Sequence, residues 1–401
     1  MKKVIVIIIG LSLNLIYAQT QGTKIADRLK KIEKGIVEFT TPESLVNPEK
    51  FDSPNKKSIE ERMKDFKVPG VSISIIDGNN APYSMTYGVL KSDSQDKVTS
   101  RSIFQAASTS KLITSVIVLH FVQTGLLNLD EDVNKYLKSW KVPGNEFTKT
   151  KKVTLRNLLT HQSGLPTTNL GYDDNGKLPT LLDVVKGENS AKNKPAIPVM
   201  EPMSQWQYSN VGYDLIQLVL EDAVGKPFTK IAEEVIFNPL KMNSSTFIYP
   251  LKKEWKNREA MPNDENGKVG EPAMHPSALA HGGLMTTPTD LAKFTIELIN
   301  AYQGKSNKII NKEYAQKLFT KELDLDPRMY GLPLGEGLGV MLLNKGDNFL
   351  FAHPGSNLPG TNCWLIASAK TGKGVVVMTN GAMGEVLAME IIAAVAREFS
   401  W

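Results

Sequence analysis

Apolar residues follow a helical spacing near the N-terminus and then an alternating one. The first pattern predicts a helix over residues 23–39. A polar, proline-containing stretch over residues 41–57 follows and is typical of a loop. Residues 71–76 and 83–90 then alternate apolar and polar positions around a turn, so they predict an antiparallel hairpin.

The period changes again in the middle of the chain. Residues 111–122 are apolar on nearly every side of a helix, as is typical of a helix buried inside a protein. The pattern stays mostly helical to about residue 258, with a long loop over residues 166–202. The last third predicts a meander of short strands and a closing helix, at residues 338–343, 349–353, 362–367, 375–379 and 385–399.

Strands at both chain ends around a helical middle imply one antiparallel sheet with a large helical insertion. The predicted fold class is therefore α/β in the broad sense, or α+β. Residues 23–100 and 275–401 would form a sheet lobe, and residues 101–274 a mainly helical lobe. The length of 401 residues, of which 41% are apolar, fits two packed lobes or one large domain.

Residues 1–18 have the order of a secretory signal peptide, with Lys2 and Lys3, an apolar stretch, and Ala18 before the expected cut. The stretch is shorter than the ~20 apolar residues that span a bilayer. We therefore expect a secreted or periplasmic protein with no stable membrane span after signal cleavage.

Charge and cysteine content exclude several function classes. The 47 basic and 42 acidic residues give a net charge of +5 that is scattered, not gathered into a stripe for nucleic acid. One cysteine, Cys363, rules out an internal disulfide framework and a multi-thiolate metal site. The sequence predicts no metal, no cofactor and no nucleic-acid partner.

Residues 108–111 place Ser108 and Lys111 three positions apart, on one face if they are helical. The same S-x-x-K spacing occurs at residues 53–56 and 94–97, but only Ser108 opens the buried apolar helix. A lysine desolvated there would have a lowered pKa and could act as a base toward the serine. The alternative is a helix-capping Ser108 and a surface lysine whose stem alone is buried.

Tyr208-Ser209-Asn210 is the single Y-x-N triplet among 11 tyrosines, and it precedes a helical run. It could instead be an ordinary helix cap with Tyr208 in a packing role.

From about Val68 to its C-terminus, the chain resembles the penicillin-recognising serine hydrolases. It resembles specifically the branch of class C β-lactamases and D-alanyl-D-alanine carboxypeptidases, with its esterases and D-aminopeptidases. The segments that carry the likeness are residues 104–111, 158–165, 208–210, 283–285 and 290–291. Their joint order implies a β-lactamase/transpeptidase-like fold.

The family's third motif, Lys/His-Thr/x-Gly on a strand facing the serine, has three candidates, at residues 281–283, 353–355 and 370–372. The last would be a turn between two strands and would point away from the nucleophile. We select His353-Pro354-Gly355, because His353 is predicted to end a strand that two further strands and a helix follow.

The resemblance implies a role for each matched residue. Ser108 would be the acylated nucleophile, and Lys111 and Tyr208 would share the proton transfers. The backbone N–H groups of Ser108 and Ser356 would form the oxyanion hole.

Three further residues would bind substrate by the same resemblance. Asn210 would orient the substrate amide, and Gly355 would let the substrate backbone approach closely. His353 replaces the lysine of the family's lactamases and so removes a fixed positive charge. Pro354 offers neither a hydroxyl nor an N–H group, so recognition of a free carboxylate is weakened.

The expected protein is an exported serine hydrolase that cleaves amide or ester bonds, like a D-amino-acid peptide carboxypeptidase or an esterase. Its partners would be small molecules or peptides: a peptidoglycan-type peptide, an ester or a β-lactam. A true class C-type β-lactamase and a non-catalytic member that binds peptidoglycan or a peptide remain as alternatives.

Overall fold

The computed structural model describes residues 24–38, 42–78, 80–167, 178–273, 277–330, 333–345 and 348–401. The predicted signal peptide lies outside these residues. None of the helices in the described part of the chain is long and apolar enough to cross a membrane.

The central element is an eight-stranded antiparallel sheet in the order β2-β1-β10-β9-β8-β7-β6-β5. Its strands are β1 (Gly70–Asp77), β2 (Tyr83–Gly88), β5 (Leu323–Leu325), β6 (Leu334–Glu336), β7 (Met341–Lys345), β8 (Asn348–Asn357), β9 (Thr361–Ser368) and β10 (Lys373–Thr379). Two short strands, β3 (Phe104–Gln105) and β4 (Met285–Thr286), pair separately.

Helices cover both faces of the sheet. They are α1 (residues 24–33), α2 (Ile59–Asp65), α3 (Ser110–Gln123), α4 (Leu155–Leu159), α5 (Leu181–Lys186), α6 (Asn210–Val224), α7 (Phe228–Ala232), α8 (Pro288–Tyr302), α9 (Lys312–Leu318), α10 (Pro327–Tyr330) and α11 (Gly384–Phe399). A π-helical segment, Glu233–Phe237, extends α7.

The sheet is built from both chain ends, as predicted. Strand β1 lies between β2 and β10, with Val71 opposite Thr379 and Ile75 opposite Val375. The long-range pairing of β1 with β10 closes the meander onto the N-terminal hairpin. This arrangement confirms the predicted fold class.

Alternation along β9 divides the apolar core into two. Cys363 and Leu365 pack in a cluster that contains most of α3, whereas Trp364 and Ile366 pack with α11 on the other face. Successive strand residues point to opposite faces, so one strand supports both clusters.

Three strand predictions are wrong in detail. The predicted strand at residues 338–343 is shifted, because Gly339 has a φ of 74° and the strand begins only at Met341. Strands β5 and β6, of three residues each, were missed. His353 does not end a strand, since β8 continues through it to Asn357.

Candidate active site

The site begins at a tight turn in front of α3. Ser108 lies in a 3-10 turn, Ala107–Thr109, so it precedes the buried helix instead of opening it. Ala107 has a φ of 46°, a left-handed conformation that costs a non-glycine residue energy. The Ser110 hydroxyl donates to the carbonyl oxygen of Ala107 over 2.6 Å and accepts from the Leu284 N–H over 3.1 Å. These two bonds hold the turn that presents Ser108.

Lys111 is fully buried on the first turn of α3. Its Nζ lies 3.1 Å from Ser108 Oγ and donates to the carbonyl oxygen of His281 over 2.6 Å. Burial lowers the pKa of Lys111 to about 7, although the charge of nearby Asp214 opposes the shift. The neutral amine is therefore well populated at neutral pH.

Tyr208 contacts the same serine from another direction. Its hydroxyl donates to Ser108 Oγ over 2.8 Å, and Lys111 Nζ lies 4.9 Å from the centre of its ring. Burial raises the pKa of Tyr208 to about 12, so the phenol keeps its proton at neutral pH. The ring of His161 packs against it at a centroid distance of 4.3 Å.

Strand β8 runs past the serine turn with one edge open. Strand β7 pairs with residues 348–352 only, and of the described strands only β9 pairs with residues 353–357. A Cβ atom at Gly355 would lie 2.2 Å from the Ala106 carbonyl oxygen and 2.9 Å from the Ser108 nitrogen. Glycine is thus required at this position by the turn itself, a reason different from the substrate approach that the sequence suggested.

His353 is held in place by backbone contacts. Its Nδ1 lies 2.8 Å from the carbonyl oxygen of Pro354, and its own carbonyl accepts from the Thr109 hydroxyl over 3.1 Å. Burial, with the nearby charge of Lys111, lowers the pKa of His353 to about 3. The ring is therefore neutral, and this motif supplies no positive charge.

These residues meet at a cavity of about 650 Å³. The described residues that line it are Ser108, His161, Thr167, Trp206, Gln207, Tyr208, Glu336, Met341, His353, Pro354, Gly355, Ser356 and Glu385. Among the described residues, no three His, Cys, Asp or Glu side chains are grouped so that they could hold a metal ion.

The model of the family described as "Beta-lactamase" matches residues 55–397. The chain belongs to the beta-lactamase family. Its fold is shared by a class C β-lactamase, with a TM-score of 0.67, and by a D-alanine carboxypeptidase from Burkholderia cenocepacia, with a TM-score of 0.65; they are 17% and 18% identical to this chain.

Relatives of this beta-lactamase-family chain include two curated bacterial proteins. The D-alanyl-D-alanine-carboxypeptidase/endopeptidase AmpH of Escherichia coli K12 is 28% identical over 69% of this chain and 70% of its own length. Protein flp of Staphylococcus aureus N315 is 23% identical over 81% of this chain, and the match spans only 62% of flp.

Among solved structures, the octameric penicillin-binding protein homologue from Pyrococcus abyssi is similar, with a TM-score of 0.71 and 28% sequence identity. The match covers 84% of this chain and 75% of the Pyrococcus chain.

Asn210 stands apart from the other predicted site residues. It is the first residue of α6, after Ser209, whose hydroxyl caps the helix by accepting from the Gly212 N–H over 3.2 Å. Its amide oxygen is buried without a hydrogen-bond partner, and Asn210 is not among the described residues that line the cavity. Ser209 is therefore a helix cap, as the alternative prediction for this triplet had it, whereas Tyr208 contacts Ser108.

Three ionisable residues that line the cavity were not predicted as functional: His161, Glu336 and Glu385. His161 lies in residues 158–165, one of the segments that carry the family resemblance. Its Nδ1 accepts from the Ser209 N–H over 3.1 Å, which ties it to the start of α6. Glu336 ends β6, a strand too short for the sequence pattern to reveal.

Proposed function

We propose that this chain is an exported serine hydrolase that cleaves amide or ester bonds through an acyl-enzyme on Ser108. One observation carries the proposal: Ser108 Oγ lies within hydrogen-bond distance of both Lys111 Nζ, at 3.1 Å, and the Tyr208 hydroxyl, at 2.8 Å. Export rests on the signal-like order of residues 1–18.

The two neighbours of Ser108 differ in their pKa, and this difference assigns their roles. With a pKa of about 7, Lys111 has a lone pair available to take the serine proton as Oγ attacks the carbonyl carbon. Tyr208, with a pKa of about 12, stays protonated and is suited to donate a proton to the leaving group. The proton then held by Lys111 restores the phenol.

The negative charge that develops on the substrate carbonyl oxygen would be stabilised by the N–H groups of Ser108 and Ser356. Ser108 precedes α3, so its N–H group lies near the positive end of the helix dipole. Ser356 follows Gly355, whose close approach brings β8 to the Ser108 nitrogen. Each such donor typically contributes ~10²–10³ in rate. Water, activated by the same Lys111 and Tyr208 pair, would then release the acyl group.

We propose a peptide or an ester as the substrate. The name of AmpH, a carboxypeptidase/endopeptidase, supports a peptide bond. The neutral ring of His353 weakens the case for a substrate group with a free carboxylate at this motif. Asn210 would need to turn its amide toward the cavity to orient a substrate.

The test is intact-mass analysis of the purified protein, quenched in acid during turnover of p-nitrophenyl acetate. We expect one added acetyl group on the wild type and none on Ser108→Ala, with Ser94→Ala as a matched control that is acetylated normally. Acetylation of Ser108→Ala would contradict the proposal.

A parallel incubation with benzylpenicillin decides between the open alternatives. Rapid loss of the drug would indicate a β-lactamase. A persistent adduct that requires Ser108 would indicate a penicillin-binding peptidase. Failure of both reagents to acylate the protein would favour a non-catalytic binding member.

A further inference from the structure

Glu336 is a buried carboxyl in the wall of the catalytic cavity. It ends β6, pairs across the sheet with Met341 of β7, and is 5% exposed. Its backbone carbonyl accepts from the Glu322 N–H over 2.8 Å, but none of the described residues donates a hydrogen bond to its carboxyl group. The carboxyl group is therefore available to a ligand bound in the cavity.

A buried carboxylate without a partner is costly, and such groups avoid the cost by staying protonated or by pairing with a cation. Burial raises the pKa of Glu336 to about 8, so the free protein holds it mostly neutral at pH 7. Glu336 lines the same cavity as Ser108 and Tyr208, and its negative charge, when present, raises the pKa of Tyr208.

The ionisable residues that line the cavity, among those the structure describes, include two carboxyl groups and two histidines. Glu385, near the start of α11, is the second carboxyl that lines it. Burial lowers the pKa of His161 and His353 far enough to leave both rings uncharged at pH 7. None of the described lining residues is arginine or lysine, and buried Lys111 beside Ser108 is half neutral. The described lining therefore offers two carboxyl groups to a cation and no arginine or lysine to a carboxylate.

We propose that Glu336 binds a primary ammonium group that the substrate carries within a few bonds of the scissile carbonyl. This inference rests on the proposed hydrolase function and narrows its substrate class. The ammonium ion would fill the unpartnered side of the carboxyl and favour its ionised form, forming a charge-assisted hydrogen bond. The amine could belong to the acyl part of the substrate or to its leaving group, and the two sources are separable.

The experiment compares kcat/KM for matched substrates at pH 7. In the acyl arm, D-alanine p-nitroanilide is compared with its N-acetyl derivative. In the leaving-group arm, the N-acetyl-D-alanyl amide of 1,3-diaminopropane is compared with that of butylamine. We expect the wild type to favour the amine by about tenfold or more in one arm, because a buried ionic partner discriminates strongly.

Glu336→Gln should bring that ratio close to one, while Glu336→Asp, which keeps the charge, should retain part of the preference. Glu265→Gln removes a carboxyl from an exposed position that does not line the cavity, and it should change the ratio little. Because the result is a ratio of two substrates, any effect of Glu336 on Tyr208 common to both cancels.

Two failures remain distinguishable. If p-nitrophenyl acetate is not hydrolysed through Ser108, the proposed function is wrong. If it is hydrolysed but the wild type shows no amine preference in either arm, or Glu336→Gln keeps the preference, the assignment of Glu336 is wrong.

Discussion

Two segments share the S-x-x-K spacing but differ in the burial and the contacts of their lysines. At residues 53–56, the Lys56 side chain is 37% exposed and forms an ion pair with Asp52 over 2.8 Å. At residues 108–111, Lys111 is fully buried and directs its amine to Ser108. The spacing alone therefore carries no chemistry.

Burial and local geometry make the difference. Ser53 lies in a loop, where its hydroxyl accepts from the Asn55 N–H over 3.1 Å. Ser108 lies in a turn fixed on one side by the Ser110 hydroxyl and on the other by β8. Desolvation of Lys111 then lowers the pKa of its amine toward neutrality, which no surface position would do. A motif becomes a site only where the fold removes water from it.

The largest expected effect comes from the nucleophile. Ser108→Ala should lower kcat/KM for p-nitrophenyl acetate by about 10⁴ or more, as in other nucleophile deletions. Ser53→Ala removes the hydroxyl of the exposed segment and should leave the rate within about twofold, since surface changes are small. Equal losses of kcat/KM in Ser108→Ala and Ser53→Ala would show that Ser108 has no special role.

The second prediction concerns the lysines. Lys111→Met keeps the length of the side chain and suits the apolar surroundings, so the protein should remain folded, but the general base is lost. We expect kcat to fall by about 10²–10⁴. Lys56→Met, which loses only an exposed ion pair, should show nearly full activity. Steady-state kinetics measure kcat for both variants, and thermal melts check that both are folded. Normal activity of Lys111→Met would show that Lys111 is not the base.

The third prediction tests the contact between β8 and the serine turn. Gly355→Ala would place a methyl group 2.2 Å from the Ala106 carbonyl oxygen, so the strand or the turn must shift. Because the proposed oxyanion hole requires this close approach, we expect a loss of about 10² in kcat.

Gly144→Ala is the control for that substitution, since its nearest atom would be Thr148 Oγ1 at 4.0 Å. Normal kcat in Gly355→Ala would show that β8 does not position the site.

The sequence predicted the sheet because its strands follow strong local patterns, and the structure places the candidates Ser108, Lys111 and Tyr208 side by side. Alternation identified β1, and short apolar runs separated by turn residues identified β9 and β10; the two faces of these strands lie in separate cores. The apolar pattern of α3, which is typical of a buried helix, distinguished Ser108 and Lys111 from the same S-x-x-K spacing at residues 53–56 and 94–97. What it missed depends on tertiary pairing: β5 and β6 have three residues each and persist by pairing with their neighbours.

The error at His353 has a similar cause. Pro354 and Gly355 are typical of a strand end, yet β8 continues through them. Proline is tolerated there because β7 stops at the partner of Ala352, so the strand is an edge at Pro354 and one side requires no N–H group. Glu336 was missed for the same reason as β6, and its burial is a property of the assembled cavity alone.

The smallest effect is the pH profile, and it tests the pKa difference between buried and exposed lysines directly. Only the neutral amine of Lys111 can accept the serine proton, so kcat/KM for uncharged p-nitrophenyl acetate should fall below pH 7, to about a tenth of its plateau at pH 6. A base with the pKa of an exposed lysine would place this limb at about pH 10.4. Glu336, with a pKa of about 8, is the other cavity group that titrates nearby, so Glu336→Gln separates the two. If the decrease near pH 7 persists in Glu336→Gln, the titrating group is Lys111. If the decrease disappears in that variant, the titrating group is the Glu336 carboxyl and the assignment to Lys111 is wrong.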